Sequence, residues 1–172
     1  MSTKKSKRLA YILRHDPASA NTTASEQGWV SVSDIMRALN VTMSQLQVIV
    51  SEDNKGRYEF SADNEMIRAT QGHSYPVNLG WESVLPPAIL YHGTATRFVE
   101  SIMREGLVKG SRQWVHLSAD TATASMVGSR HGELVILEVA ASRMAADGRS
   151  FYRSSNGVWM AEHVPVEYIT TL

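Results

Sequence analysis

Few residues in this chain have types and spacings that suggest chemistry, and the most suggestive pair is Arg14-His15 in "AYILRHDP". An arginine offers a planar, permanently charged fork that matches phosphate oxygens. A histidine beside it can take or give a proton near neutral pH. Together they suit work on a phosphate ester. They equally suit a plainer duty, because basic residues in a last helical turn bond its open carbonyls and favour its negative end. Arg57 in "NKGRYEF" and Arg130 in "GSRHG" could add two phosphate forks, though a hairpin strand and a helix end are ordinary places for arginine. His92 stands beside Gly93 in "YHGT", where a glycine lets backbone approach a ligand closely. His116 in "VHLS" alternates away from Val115 and Leu117, which fixes its side of a strand but not its duty.

Other chemistries lack their residues. There is no GxGxxG after a strand, no GxxxxGK[ST], no HExxH and no GxSxG. Cysteine is absent, which excludes disulfides, thiol catalysis and zinc–thiolate sites. The histidines at 15, 73, 92, 116, 131 and 163 have no close metal-ligand spacing, so no metal is expected. Any nucleotide must be held by other means.

The composition is that of an ordinary globular protein, 43% hydrophobic and 20% charged over 172 residues. Seventeen basic residues balance seventeen acidic ones, and the balance holds in each half. A protein that grips long duplex nucleic acid carries a basic excess, so a polyanion here must meet a local arginine cluster. The one dense basic run, "KKSKR", reads as a solvated, frayed end. No apolar run is long enough to span a bilayer, and the opening segment is too short and broken for a secretory signal. Cytoplasm is the expected compartment.

The elements that must position these residues follow two grammars. Residues 1–77 read as short helices closed by a hairpin. Leu9, Ile12 and Leu13 form one helical face, and "GWVSV" alternates as a strand. Ser33 is placed to cap the next helix, with Asp34 at its positive end. "TMSQ" is a capping box that leads into Leu46, Ile49 and Val50 on one side. "GRYEF" and "MIRAT" read as strands around the turn "SADN", which completes a winged-helix-like module. Sequence-specific DNA binding is disfavoured, because "MSQLQVIVSEDN" has no Lys or Arg and ends in Glu52 and Asp53. Residues 78–88, "NLGWESVLPPA", read as a linker with Pro86-Pro87 as its break.

Residues 89–172 are strand-rich. "ILYHGT" reads as a strand running into a loop. "TRFVESIMREGL" reads as an amphipathic helix with Phe98, Ile102 and Met103 inward and Gly106 as its stop. "VHLS", "LVILEV", "SFYR" and "VWMA" are further strands, and "SSNGV" supplies an Asn-Gly hairpin turn. Met126 and the other methionines read as core filler.

Taken together, "LRHDP", "GWVSVSDI", "NKGRYEF", "IRATQGHS", "LYHGT", "SRQWVHLS", "GSRHGELVILEV", "DGRSFYRSSNGVW" and "VPVEYI" occur in an order and spacing that resembles the RNA (tRNA) 2′-phosphotransferase family across essentially the whole chain. The resemblance implies an α+β fold. Its N-terminal winged-helix-like lobe packs on a C-terminal, β-rich, ADP-ribosyltransferase-like lobe, with the active site in the cleft between them. It implies NAD+ consumed as a co-substrate and removal of an internal 2′-phosphate from RNA in two steps. The phosphate displaces nicotinamide. The neighbouring ribose hydroxyl then attacks phosphorus, freeing 2′-OH RNA and ADP-ribose 1″,2″-cyclic phosphate.

The family's Arg-His-Arg-Arg tetrad falls on Arg14, His15, Arg57 and Arg130. Its NAD+ contacts fall on His92, Gly93, Thr94, His116, Ser118 and Val158, the last an apolar residue where related protein-modifying enzymes often have Glu. Gln71 and His73 in "QGHS" fall on a surface facing RNA or phosphate, and Arg68 either joins them or is structural. Two departures are mild: "DPASANTTASEQ" lacks an apolar residue common there, and Val166 stands where a second proline is common. Neither touches the tetrad. A second enzymatic reading is ADP-ribosylation of terminal phosphates of RNA or DNA. RNA bearing a 2′-phosphate is the expected partner, with no membrane, no metal and no protein partner, and a monomer is expected.

Overall fold

The computed structural model describes residues 3–172. It is an α+β protein of two compact units, Met1–Gly80 and Trp81–Leu172.

In the first unit, α1 (Thr3–Arg14) carries Leu9, Ile12 and Leu13 on one face, all fully buried, and Asp16-Pro17 prevents its continuation. The basic run does not fray. It forms the opening turns of α1, where Lys5 Nζ donates to the Asn40 carbonyl and Arg8 Nη2 to the Ser19 carbonyl. Strand β1 (Val30–Ser31) is shorter than the alternation suggested, because α2 (Val32–Leu39) starts earlier than expected, with Ser31 rather than Ser33 at the N-cap. Val32 turns inward as the helix's first buried residue, and Asp34 lies in the first turn as read. Helix α3 (Met43–Ser51) opens on the expected capping box between Thr42 and Gln45 and buries Leu46 and Ile49. Strands β2 (Tyr58–Phe60) and β3 (Met66–Ala69) pair antiparallel, and β1 joins β3 to give the order β1-β3-β2.

In the second unit, β4 (Leu90–Ala95) contains His92, Gly93 and Thr94 within the strand itself. The expected loop is missing because α4 (Thr96–Glu105) starts at once. Of the three apolar residues expected inward on α4, only Ile102 is buried; Phe98 and Met103 are each 40% exposed. Gly106, with φ 80°, ends the helix before β5 (Leu107–Val108). There follow β6 (Val115–Leu117), α5 (Thr121–Gly128), β7 (Leu134–Val139), α6 (Ala141–Ala146), β8 (Tyr152–Arg153), β9 (Trp159–Ala161), β10 (His163–Val164) and β11 (Ile169–Thr171). Asp120 caps α5 by accepting from the Thr123 amide.

Two three-stranded antiparallel sheets, β11-β7-β4 and β6-β9-β8, meet where Tyr91 and Ser118 exchange backbone hydrogen bonds. Leu90, Leu117, Leu137, Phe151 and Trp159 lie in the core of this unit. The β8–β9 hairpin turns through three residues, not two: Gly157 alone takes positive φ, and Ser154 pairs with Val158. Met126 is 63% exposed on α5 and fills no core. Residues 81–88 belong with this unit, where the Val84 amide donates to the Phe151 carbonyl and Ser142 donates to Ala88.

Candidate active site

The sequence-predicted residues fall into two groups, one on each unit. On the first unit, Arg14 is the last residue of α1 and His15 follows it. The chain after β3 returns to this helix end. The Ser74 amide donates to the Arg14 carbonyl at 2.9 Å and the Tyr75 hydroxyl donates to the Leu13 carbonyl at 2.8 Å. Two carbonyls that a helix C-terminus leaves open are thereby satisfied by Ser74 and Tyr75. The guanidinium of Arg14 lies over Gly72 instead: a Cβ there would stand 3.4 Å from its Cζ and Nε.

His15 Nδ1 is 2.9 Å from Ser74 Oγ, and that hydroxyl also reaches the Arg14 carbonyl at 3.4 Å. A serine has one hydrogen to give. Donated to the carbonyl, it leaves Oγ to accept from His15 Nδ1–H, and the neutral ring then carries its lone pair on Nε2.

Gln71 and His73 line the same return. His73 is 1% exposed, and its Nε2 and Gln71 Oε1 are buried without a hydrogen-bond partner. Burial, reinforced by the charges of Arg14, Arg68 and His15, lowers the His73 pKa to about 4. It is therefore neutral at physiological pH. Gly28, with φ 80°, allows the fit, since a Cβ there would be 3.2 Å from His73 Nε2.

Arg57 stands just before β2 rather than on it. Asp53, whose side chain is only 2% exposed, accepts from the Arg57 amide at 2.6 Å and from its Nε at 2.8 Å. Arg57 Nη2 also reaches Ser6 Oγ on α1 at 3.4 Å. Nη1 makes no hydrogen bond among the described residues. Burial is the largest influence and opposes the charge, but the bond to Asp53 together with the charges of Tyr58 and Asp53 outweighs it, and the Arg57 pKa rises. Ser6 and Arg14 are separated by about 12 Å of helix axis, at 1.5 Å per residue, so α1 sets the spacing of the two arginines. Arg68 pairs with Glu59 across the hairpin at 2.6 Å and lies over the Trp29 ring at 4.3 Å, contacts that suit a structural role.

On the second unit, His92 Nδ1 bonds the His116 carbonyl at 3.0 Å. A carbonyl only accepts, so Nδ1 carries the hydrogen. Burial first, opposed by that bond and aided by His131, lowers the His92 pKa. The neutral ring therefore offers an acceptor at Nε2. His116 is the opposite tautomer. Arg112 Nη1, which can only donate, lies 2.8 Å from its Nδ1, so the hydrogen is on Nε2.

Ser118 and Val158 lie one step beyond the last ladder pair, Leu117↔Trp159, on the same face as His116. Val158 is clamped by Ser154, which accepts from its amide through Oγ and donates to its carbonyl. Thr94 is 5% exposed. Gly93 has a packing reason for its identity: the Ala124 carbonyl and the Gly128 amide fill the space a side chain would take. Arg130 occupies the single turn Ser129–His131 after α5 and is exposed, with no hydrogen bond or ion pair among the described residues.

An NAD+ site fits these residues on one count, the half-buried His92 acceptor, which suits a ribose hydroxyl. Among the described residues no three His, Asp or Glu converge as metal ligands, and no helix is long and apolar enough to cross a membrane. Sequence reasoning missed Asp53, Gly72, Ser74 and Arg112. Gly72 and Ser74 lay inside the quoted "QGHS"; Asp53 was legible only as the acid four residues before Arg57.

The family model described as RNA 2′-phosphotransferase, Tpt1/KptA family, matches residues 1–163. A protein of Agrobacterium fabrum named "Probable RNA 2′-phosphotransferase" is 49% identical over 99% of this chain and 94% of its own. Proteins of the same name from Acaryochloris marina and Fusobacterium nucleatum are 46% and 44% identical, over 95% and 94% of this chain and 93% of each of their own. With a family match across nearly its whole length and relatives this similar, the chain belongs to the RNA 2′-phosphotransferase, Tpt1/KptA family.

Proposed function

We propose that this protein removes an internal 2′-phosphate from RNA in an NAD+-dependent transfer. Family membership supports the reaction class. The observation that carries the assignment of residues is the end of α1, where Arg14 is seated on Gly72 and His15 is held by Ser74. On this reading the first unit is the winged-helix-like lobe and the second the ADP-ribosyltransferase-like lobe, in a cytoplasmic monomer.

Arg14, Arg57 and Arg130 bind the phosphate dianion through guanidinium forks that cannot lose charge. Asp53 aims Arg57 and holds it charged. His92, His116, Ser118 and the backbone near Gly93, Thr94 and Val158 hold NAD+, which supplies the ribose carbon that accepts the phosphate, with nicotinamide as leaving group. The first step asks little of acid–base groups, since the nucleophile is already ionised. In the second, a ribose hydroxyl loses a proton and the RNA 2′-oxygen gains one. His15, with its lone pair on Nε2, moves these protons, and the arginines stabilise the charge that builds on phosphoryl oxygen. Gln71 and neutral His73 add uncharged polar groups beside Arg14.

The test is a short RNA with one internal 2′-phosphate, incubated with and without NAD+ and resolved by mass. The reading expects loss of phosphate only with NAD+, together with cyclic-phosphorylated ADP-ribose. Stable ADP-ribosylated RNA as the end product would point to phosphate ADP-ribosylation instead. An unchanged RNA would overturn both.

A further inference from the structure

The second unit holds a cavity that none of the roles above uses. Its volume is about 580 Å³, and its lining includes Trp114, Tyr152, Lys109, Arg149, Glu162 and His163. The sheet register explains how it forms. His116 pairs with Met160 and Met160 with Tyr152, so these three share a face, and Trp114, in the bend just before β6, joins them through its ring contact with Tyr152. The opposite face buries Leu117 and Trp159 in the core. Trp114 and Tyr152 are half-buried, their ring centroids 4.9 Å apart, and Trp81 extends the row at 6.5 Å from Trp114. Lys109 and Arg149 are exposed beside them, with Glu162 as the one carboxylate in the lining.

Aromatic rings next to exposed cations are the chemistry of base stacking with phosphate pairing. The volume lies in the range of sites that enclose small organic ligands. Trp114 stands just before β6, and its ring meets Tyr152, which shares the face of His116, so the cavity adjoins the face that carries His116, Ser118 and Val158.

We propose that this cavity binds a nucleobase and its neighbouring phosphate, the base against Trp114 and Tyr152 and the phosphate at Lys109 and Arg149. The proposal rests on the function above only in naming two reactants with that chemistry: the RNA strand and the adenosine half of NAD+.

Binding without turnover separates the two sources. A labelled 2′-phosphorylated hexanucleotide is titrated by fluorescence anisotropy in the absence of NAD+, and NAD+ is titrated by calorimetry in the absence of RNA. Trp114→Leu is expected to weaken one of the two ligands by about five- to a hundredfold, the range of one base–aromatic stack. The exposed pair Lys109→Glu/Arg149→Glu guards against a folding artefact. It is expected to weaken the same ligand by at least about tenfold with an unchanged thermal midpoint.

If RNA is the occupant, an RNA abasic beside the 2′-phosphate binds wild type weakly and loses nothing further with Trp114→Leu. If adenosine is the occupant, NAD+ weakens while nicotinamide mononucleotide binds both proteins alike. Wild-type affinity for both ligands in both variants would overturn the proposal. Absence of phosphate transfer by the wild type would defeat the functional reading but leave these titrations standing.

Discussion

Gly72 lies beneath the guanidinium of Arg14, at φ 88°, with room for a Cβ only in van der Waals contact with Cζ and Nε at 3.4 Å. The glycine therefore does two things: it permits a backbone that L-residues resist, and it forms the floor on which the arginine rests. Gly72→Ala should lower stability by about 1–2 kcal/mol through left-handed strain, measured by urea denaturation. Gly72→Val pushes its branches into the guanidinium and should cut kcat/KM for phosphate transfer by at least about tenfold. A valine variant that stays folded and fully active would show that the seat of Arg14 does not matter.

His73 makes stability depend on pH with a definite sign. Its folded pKa is about 4, against an ordinary 6.5. Below 6.5 the unfolded chain takes up a proton that the folded chain refuses. The unfolded state then binds more protons, so stability rises with pH across the window from about 4 to 6.5 and is level above it. The full effect is on the order of 3 kcal/mol, at 1.36 kcal/mol per pKa unit. The check is chemical denaturation of wild type and His73→Gln at pH 4.5 and 7.5. The glutamine variant should lose less stability on acidification than wild type. Equal losses would mean that His73 accepts a proton in place.

Gly93 tests a point on which sequence and structure give different reasons for one residue. The sequence suggested a glycine left open for close approach of a ligand. The structure places the Ala124 carbonyl and Gly128 amide of α5 in that space. Gly93→Ala should therefore act first on folding, costing at least about 1–3 kcal/mol by overpacking. A variant with unchanged thermal unfolding but weakened NAD+ binding would restore the ligand argument.

Arg112 fixes the tautomer of His116 by donating to Nδ1 at 2.8 Å. It is a positioning residue for that ring. In Arg112→Met, nitrogen-15 NMR should show His116 moving from Nε2–H toward a mixture of tautomers. KM for NAD+ should rise several-fold with kcat little changed, and Arg112→Lys should restore part of the loss. An unaltered His116 spectrum would show that another contact sets the tautomer.

What the sequence made legible follows the range of the forces involved. The faces of α1 and α3, the capping box at Thr42 and the β2–β3 hairpin all depend on neighbours a few residues away, and all formed where expected. Residues that depend on distant chain were harder. Phe98 and Met103 fit a helical stripe, but only Ile102 found a core to meet. The end of α1 looked like either a catalytic tip or a helix stop. What bears on it comes from Ser74 and Tyr75, sixty residues away, which satisfy two of the helix carbonyls. Arg112 and Asp53 escaped notice because a positioning residue has no motif apart from the side chain it holds.

With the carbonyls provided for, His15 is the residue whose removal discriminates most sharply. Its Nδ1 lies 2.9 Å from Ser74 Oγ, and in the tautomer where Nδ1 donates to that oxygen, Nε2 is the proton-accepting atom. The first step of the proposed reaction needs no base, because the 2′-phosphate is already an anion and nicotinamide departs as a neutral ring. The second step needs a proton removed from one hydroxyl and delivered to another. His15→Ala should therefore leave formation of ADP-ribosylated RNA within a few-fold of wild type. Its decay should slow by about a hundredfold or more, the usual contribution of a positioned acid–base group. Ser74→Ala, which removes only the orienting bond, should slow decay less and leave formation unchanged. Rapid-quench sampling with radiolabelled RNA resolves the two steps in one experiment, and the intermediate should accumulate strongly in His15→Ala and to a smaller extent in Ser74→Ala. If His15→Ala instead forms no ADP-ribosylated RNA while still binding substrate, the histidine acts in the first step, and the division of labour argued from its Nε2 lone pair is wrong.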